Sequence, residues 1–275
     1  MKIMTLSDLH HGKWGTWGMK AVQRAGKEAR DHQIDVLLLG GDLAEPSPEN
    51  QYRGEVLSKI MQLPIPHKLW VIGNNDLEDL RGPISQYAQE AHSLVSADGI
   101  QVLDYAPVTI DGVTFVGNLG WFDGSLWGMG STPLIDPEGW APISFQEAQS
   151  KTDAWTRHEL GERMDLTSDE LFELCQNTLH SHLREAGQNR IVVMTHTSPT
   201  PSMCMYGHNP KFDFLNYCMG WDDLSKKALR PPLSSWKPTL QLCGHTHRFK
   251  MVFAGENPPL VNVSGEGQPR IFEIR

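Results

Sequence analysis

Val36-Leu-Leu-Leu-Gly-Gly-Asp42 is a short apolar run that stops abruptly on two glycines and a carboxylate, and it decides how the chain is read. The same form occurs on both sides of it. Ile3 to Leu6 ends in Ser7-Asp8, and Leu69 to Ile72 ends in Gly73-Asn74. Between these runs, Met19 to Arg30 and Tyr52 to Leu63 carry helix-like patterning. Asp8, Asp42 and Asn74 are thus spaced by about the 30 residues of a βαβ unit. That spacing predicts parallel strands whose polar ends gather at one sheet edge, where open α/β sheets place their ligands.

The second half predicts a different kind of pairing. Val108 to Ile110 and Val113 to Val116 flank Asp111-Gly112, a strong two-residue hairpin signal. Ile191 to Thr195, Leu240 to Cys243, Met251 to Ala254, Leu260 to Val263 and Ile271 to Ile274 read as later strands. From Trp121 to about Arg163 the sequence is rich in Trp, Gly and Pro and only weakly periodic, with Trp121, Phe122, Trp127, Trp140, Phe145 and Trp155 all inside it. A long irregular loop in a compact domain is usually functional or disordered, and so many aromatics disfavour disorder. The expectation is a cap, within an insertion spanning roughly 118–188 of a single domain over 1–275. Thr167-Ser-Asp-Glu170 has the form of a capping box and opens a helix through about Glu185.

Composition narrows the function classes. A chain of 275 residues with net charge -9 at pH 7 can bury a sizeable core but shows no basic stripe, so no extended nucleic acid is expected as a partner. No apolar run is long enough to span a bilayer, and no membrane partner is expected. The N-terminus enters a strand at once, with no charged-then-apolar leader. Cys175, Cys204, Cys218 and Cys243 form no CxxC pair and read as reduced thiols of a cytoplasmic protein.

Seven side chains carry the chemistry. Asp8, His10, Asp42, Asn74, His196, His245 and His247 each follow a short apolar run, and imidazoles with carboxylates describe a metal site. Seven donors are too many for one ion with an open position, so the expectation is a dinuclear centre. No cysteine is among them, which suits Mn, Fe, Zn, Co or Ni. An isolated Asp-x-His or Gly-Asp is most often a turn, and His196 alone reads as an ordinary core histidine. Five blocks in one order at strand ends are hard to assemble by chance. In His245-Thr-His247, positions two apart in extended backbone point to one side, which makes Thr246 a spacer. Asp76 and Glu45 read as loop carboxylates behind the ligands, Glu45 equally as a turn residue. Cys243 reads as a small buried residue, and Arg248 as solvated or ion-paired.

The order Asp8-x-His10, Gly41-Asp42, Gly73-Asn74, His196 and Gly244-His245-x-His247 resembles the calcineurin-like metallophosphoesterases over nearly the whole chain. The resemblance implies an α/β fold, a β-sandwich flanked by helices, with two divalent metal ions above it. It assigns Asp8, His10, Asp42 and His247 to one ion and Asn74, His196 and His245 to the other, with Asp42 bridging. It implies hydrolysis of a small phosphorylated substrate, a phosphomonoester or phosphodiester, by attack of a bridging hydroxide. The chain departs from the family pattern at Asn75, where Gly-Asn-His is common. Asn75 can hydrogen-bond a phosphate oxygen but cannot deliver a proton at neutral pH, so the leaving-group acid is open, with His11 and His208 as substitutes. Gly120-Trp-Phe-Asp123, Thr195-His-Thr-Ser-Pro199 and Phe212-Asp-Phe-Leu-Asn216 are similar to a prokaryotic branch of the family and place Trp121, Asp123 and Asn216 as candidates for the pocket rim. The competing readings are a catalytically weak metal-pocket binding module, for which Asn75 is the only motif feature, and a nuclease, which the net charge disfavours.

Overall fold

A computed structural model gives the architecture, describing residues 1–12, 17–47, 51–126, 134–135, 142–187, 189–203, 220–221, 233–247, 249–252, 259–264 and 268–274. The chain opens with β1 (Lys2–Leu6), α1 (Trp17–His32), β2 (Val36–Leu39), α2 (Gln51–Met61), β3 (His67–Trp70), α3 (Asn74–Glu78), α4 (Tyr87–Val95) and β4 (Ile100–Val102). It continues with β5 (Val108–Ile110), β6 (Val113–Asn118), β7 (Leu134–Ile135), β8 (Pro142–Ile143), α5 (Phe145–Leu160), α6 (Ser168–Ala186) and β9 (Arg190–Thr195). The last elements are β10 (Leu240–Cys243), β11 (Lys250–Val252), β12 (Leu260–Asn262) and β13 (Arg270–Glu273).

Two sheets result. The first has the order β13-β1-β2-β3-β4, parallel except for β13, and the second the order β11-β12-β10-β9-β6-β5, parallel except at its two outer pairs. The β5–β6 hairpin closes with Ile110 opposite Val113 across Asp111-Gly112, where both turn residues have positive φ, as this turn requires. Side chains alternating along each strand divide the core into layers. Ile3, Val36, Leu38, Leu69 and Val71 face Phe115, Val192, Met194, Leu242 and Val261 of the second sheet. Met4, Leu6, Leu37, Leu39 and Trp70 turn the other way, onto Ala21, Ala25 and Ala29 of α1, Val56 and Ile60 of α2 and Tyr87 and Ala91 of α4. The outer face of the second sheet, Val116 and Val193, packs on Leu179 and Leu183 of α6. This is the helix–sheet–sheet–helix layering expected of the fold.

The stretch expected to be irregular contains the sixteen-residue helix α5. Its start is fixed by a capping box, in which Ser144 Oγ accepts from Glu147 N at 3.2 Å and Glu147 Oε2 accepts from Ser144 N at 2.7 Å. Thr167 and Glu170 do the same for α6 at 3.2 and 2.7 Å. Trp127 and Trp140 lie outside the described residues. Among the described residues, no helix is long and apolar enough to cross a membrane.

Candidate metal centre

The candidate ligands sit where parallel strands end. Asp8 and His10 follow β1, Asp42 follows β2 and Asn74 opens α3 after β3, all on the first sheet, while His196 follows β9 and His245 and His247 follow β10 on the second. The first two loops run side by side beyond their strands, with Asp8 N donating to Gly41 O at 3.0 Å, His10 N to Asp42 O at 3.0 Å and His11 N to Leu43 O at 3.2 Å. The second sheet joins them directly, because His245 N donates to both carboxylate oxygens of Asp8, at 3.0 and 3.1 Å. Asp8, His10, Asp42, His245 and His247 all adopt positive φ, between 41° and 68°. Asp and His tolerate this region better than most residues, and such conformations gather at functional sites.

Two donor clusters form. Asp8, His10, Asp42 and His247 make one and Asp42, His196 and His245 the other, each with one ligand atom per residue and all such atoms within 4.8 Å of one another. Asn74 joins the second through Oδ1, 3.1 Å from His196 Nε2. His10 Nε2 is 3.6 Å and His196 Nε2 3.4 Å from the same Asp42 Oδ2. His247 Nε2 lies 3.4 Å from Asp8 Oδ1 and 2.9 Å from His10 Nε2, and His245 Nδ1 is 3.2 Å from His196 Nε2.

This arrangement fits divalent cations. The far nitrogen of His196 is set on Gly40 O at 2.7 Å and that of His10 on Glu45 Oε1 at 2.6 Å, so the near nitrogens turn toward the clusters. An imidazole that donates from one nitrogen presents a lone pair at the other, as metal-ligating histidines do. The electrostatics show which charge the pocket favours. Burial pushes the Asp42 carboxyl up, but the charge and hydrogen bond of His196, with His10 and His245, outweigh it and hold Asp42 well below the usual carboxylate range. Burial opposes charge on His196 too, yet Asp42, Asp8 and the Gly40 carbonyl push that imidazole up to about 10. The buried pocket thus favours positive charge between its acids.

The sequence profile of the calcineurin-like phosphoesterases matches residues 1–249. The chain belongs to this family. The phosphopantetheinyl hydrolase from Mycobacterium tuberculosis shares its fold, with a TM-score of 0.65 at 18% identity over 96% of this chain and 88% of that one. The protein TT1561 from Thermus thermophilus does so with a TM-score of 0.54 at 16% identity over 100% and 99%. No curated protein matches the sequence at a significant level.

His245 and His247 are not on extended backbone: β10 ends at Cys243, and both histidines have positive φ, 68° and 54°. They still reach different clusters. Thr246 is more than a spacer, since its Oγ1 accepts from Asn262 Nδ2 at 2.7 Å while Asn262 Nδ2 also donates to Gly244 O at 2.7 Å. Asn262, fully buried, gave no signal in the sequence because it stands outside every motif. Asp76 accepts from the backbone N–H groups of Asp42, Leu43 and Gly73 at 2.8, 3.1 and 2.9 Å, tying the β2 loop to the β3 loop. Asn75 turns its amide to His10 Nδ1 at 3.1 Å and Glu45 Oε1 at 3.3 Å. His11 sits outside both clusters, 2.9 Å from Glu55 Oε2. Trp121 is only 3% exposed, stacked on Phe122, and its Nε1 donates to Ser168 Oγ at 2.8 Å. Asp123 Oδ1 accepts from Ser125 N at 2.8 Å in a turn. Asn216, His208 and Arg248 lie outside the described residues. Cys243 and Cys175 are buried free thiols, both pushed up to about 12 by burial.

Proposed function

We propose that this chain is a dinuclear metal-dependent phosphoesterase that hydrolyses a small phosphomonoester or phosphodiester in the cytoplasm. The observation that carries the reading is that Asp42 belongs to both donor clusters, with His10 and His196 approaching one of its oxygens from opposite clusters. Asp8, His10, Asp42 and His247 would hold one ion, and Asp42, Asn74, His196 and His245 the second. Bound there, a pair of Mn, Fe, Zn, Co or Ni ions supplies Lewis acidity, making water more acidic and neutralising charge on phosphoryl oxygens.

The protein's own contribution is orientation. Gly40 O and Glu45 aim two imidazoles, the N–H of His245 and the hydroxyl of Ser7 hold Asp8, and Asn75 N donates to Asp42 Oδ1 at 2.8 Å. Asp8, Asp42 and His196 are themselves buried. A net charge of -9 favours a compact substrate over a long polyanion. The test is metal analysis of the purified protein joined to a panel of aryl and alkyl phosphomonoesters and diesters, a phosphopantetheinyl diester included, with Mn, Ni, Co, Zn or Mg. Asp42→Asn should lose at least one ion and nearly all turnover, because a neutral amide is a poor bridge. Full metal occupancy with unchanged turnover in that variant refutes the shared role of Asp42.

A further inference from the structure

Glu45 stands behind His10 and outside both donor clusters, with the Asn75 amide beside the two. Glu45 Oε1 lies 2.6 Å from His10 Nδ1, while His10 Nε2 faces His247 Nε2 at 2.9 Å and Asp42 Oδ2 at 3.6 Å. A carboxylate accepts and cannot donate, so the Glu45 contact places the imidazole hydrogen on Nδ1 and the lone pair on Nε2. The amide nitrogen of Asn75 is 3.1 Å from the same Nδ1 and 3.3 Å from the same Oε1. A nitrogen already carrying a hydrogen accepts nothing, so the Asn75 amide donates to Glu45.

The rest of Asn75 is also turned toward the ligands. Its Oδ1 accepts from Asn74 Nδ2 at 2.7 Å, which leaves Asn74 Oδ1 facing His196 Nε2, and its backbone N–H reaches Asp42 Oδ1. We infer that Asn75 and Glu45 form a positioning relay, Asn75 to Glu45 to His10, that sets which nitrogen His10 offers to its ion. This rests on the two-metal reading above. The relay also explains what asparagine does at the position where the family commonly has histidine: an imidazole N–H at residue 75 would compete with His10 for the single Glu45 oxygen that both now use. Asn75→His therefore does not simply add a proton donor. It loosens His10.

The experiment compares the native enzyme with Glu45→Ala, Glu45→Gln and Asn75→His by two readouts. Stepwise titration of Zn against a chelator should give two ions in the native protein and, in Glu45→Ala and Asn75→His, one of the two weakened by about 10–100-fold with the other kept. Glu45→Gln should lose less, because its amide carbonyl still accepts from Nδ1–H. The second readout is the ¹⁵N shift of His10 in metal-free protein, expected to report Nδ1–H in the native chain and a tautomer mixture in Glu45→Ala. Should Glu45→Ala fail to fold, the isosteric Glu45→Gln and Asn75→His carry both measurements. Native-like Zn affinity at both sites in these variants, with His10 still protonated on Nδ1 in the absence of Glu45, overturns the relay. Fewer than two ions in the native enzyme would instead defeat the two-metal reading, and the tautomer measurement would still decide the relay.

Discussion

Asp104 offers a measurement of how the two sheets are fastened beneath the site. It follows β4 and is buried, with Oδ2 accepting from Ile72 N at 2.9 Å and Oδ1 from Leu119 N at 2.7 Å and Tyr87 Oη at 2.9 Å. Ile72 leads into the Gly73-Asn74 loop of one sheet and Leu119 follows β6 of the other, so one carboxyl bridges both. Burial pushes its pKa from 3.8 up to about 7 against the pull of these donors. An acid raised in the folded state binds more protons there than when unfolded, so its contribution is fully present below pH 3.8 and is lost as pH rises toward 7. At about 1.36 kcal/mol per pKa unit, roughly 2–3 kcal/mol disappears between pH 5 and 8. Asp104→Asn does not titrate and leaves one backbone N–H facing an amide N–H, a cost of about 1–3 kcal/mol. Denaturant unfolding of both proteins at pH 5, 6.5 and 8, with metal in constant excess, cancels all other titrations. The native protein should lead at pH 5 and lose about 2–3 kcal/mol of that lead by pH 8. A lead that does not change with pH would refute the burial argument.

Three further outcomes follow from packing. Trp121→Ala should lower stability by about 3–5 kcal/mol in thermal or denaturant unfolding while metal content and KM hold, since the ring is enclosed in the core and tied to Ser168; a raised KM with an unchanged Tm would make it a pocket wall. Gly41→Ala should lose bound metal on direct analysis, because φ is +89° and a Cβ would stand 2.6 Å from His196 Nδ1 and 2.7 Å from the backbone of Gly73. Asn262→Ala should cost about 1–3 kcal/mol and weaken Zn binding, since Gly244 O and Thr246 Oγ1 lose the donor that shapes the His245–His247 turn; unchanged metal affinity would detach that turn from the site.

What the sequence showed was whatever periodicity and punctuation encode locally. Val36–Leu39 and Leu240–Cys243 are strands with the boundaries their apolar runs imply, and Thr167 opens α6 as its capping box requires. The same signature at Ser144 and Glu147 was equally available, but the density of Trp, Gly and Pro around it hid a sixteen-residue helix. Strand β4 carries a single polar residue between Ile100 and Val102 and is too short for alternation to stand out. Asp76 and Glu45 were legible as carboxylates behind the ligands, but the partner each serves was not, because it lies far away in the chain. Glu45 serves His10 across 35 positions, and Asn262 holds the loop of Gly244 and Thr246 across 18 and 16.

On the two-metal proposal, the division of candidate ligands between the sheets makes metal binding depend on the inter-sheet core. Asp8, His10, Asp42 and Asn74 are carried by the first sheet and His196, His245 and His247 by the second, so the 3.4 Å from His196 Nε2 to Asp42 Oδ2 is set by how Leu38 and Val71 pack on Met194 and Leu242. Gly40 sharpens the dependence. A Cβ there would clash with the side chains of Met194 and Ser7, and the Gly40 carbonyl is the acceptor that orients His196. A close-packed interior does not deform continuously, so a void or an extra methyl at this seam shifts one set of donors against the other. The left-handed backbone of five candidate ligands is gathered in the three segments that leave β1, β2 and β10, where the strand beneath anchors the start of each.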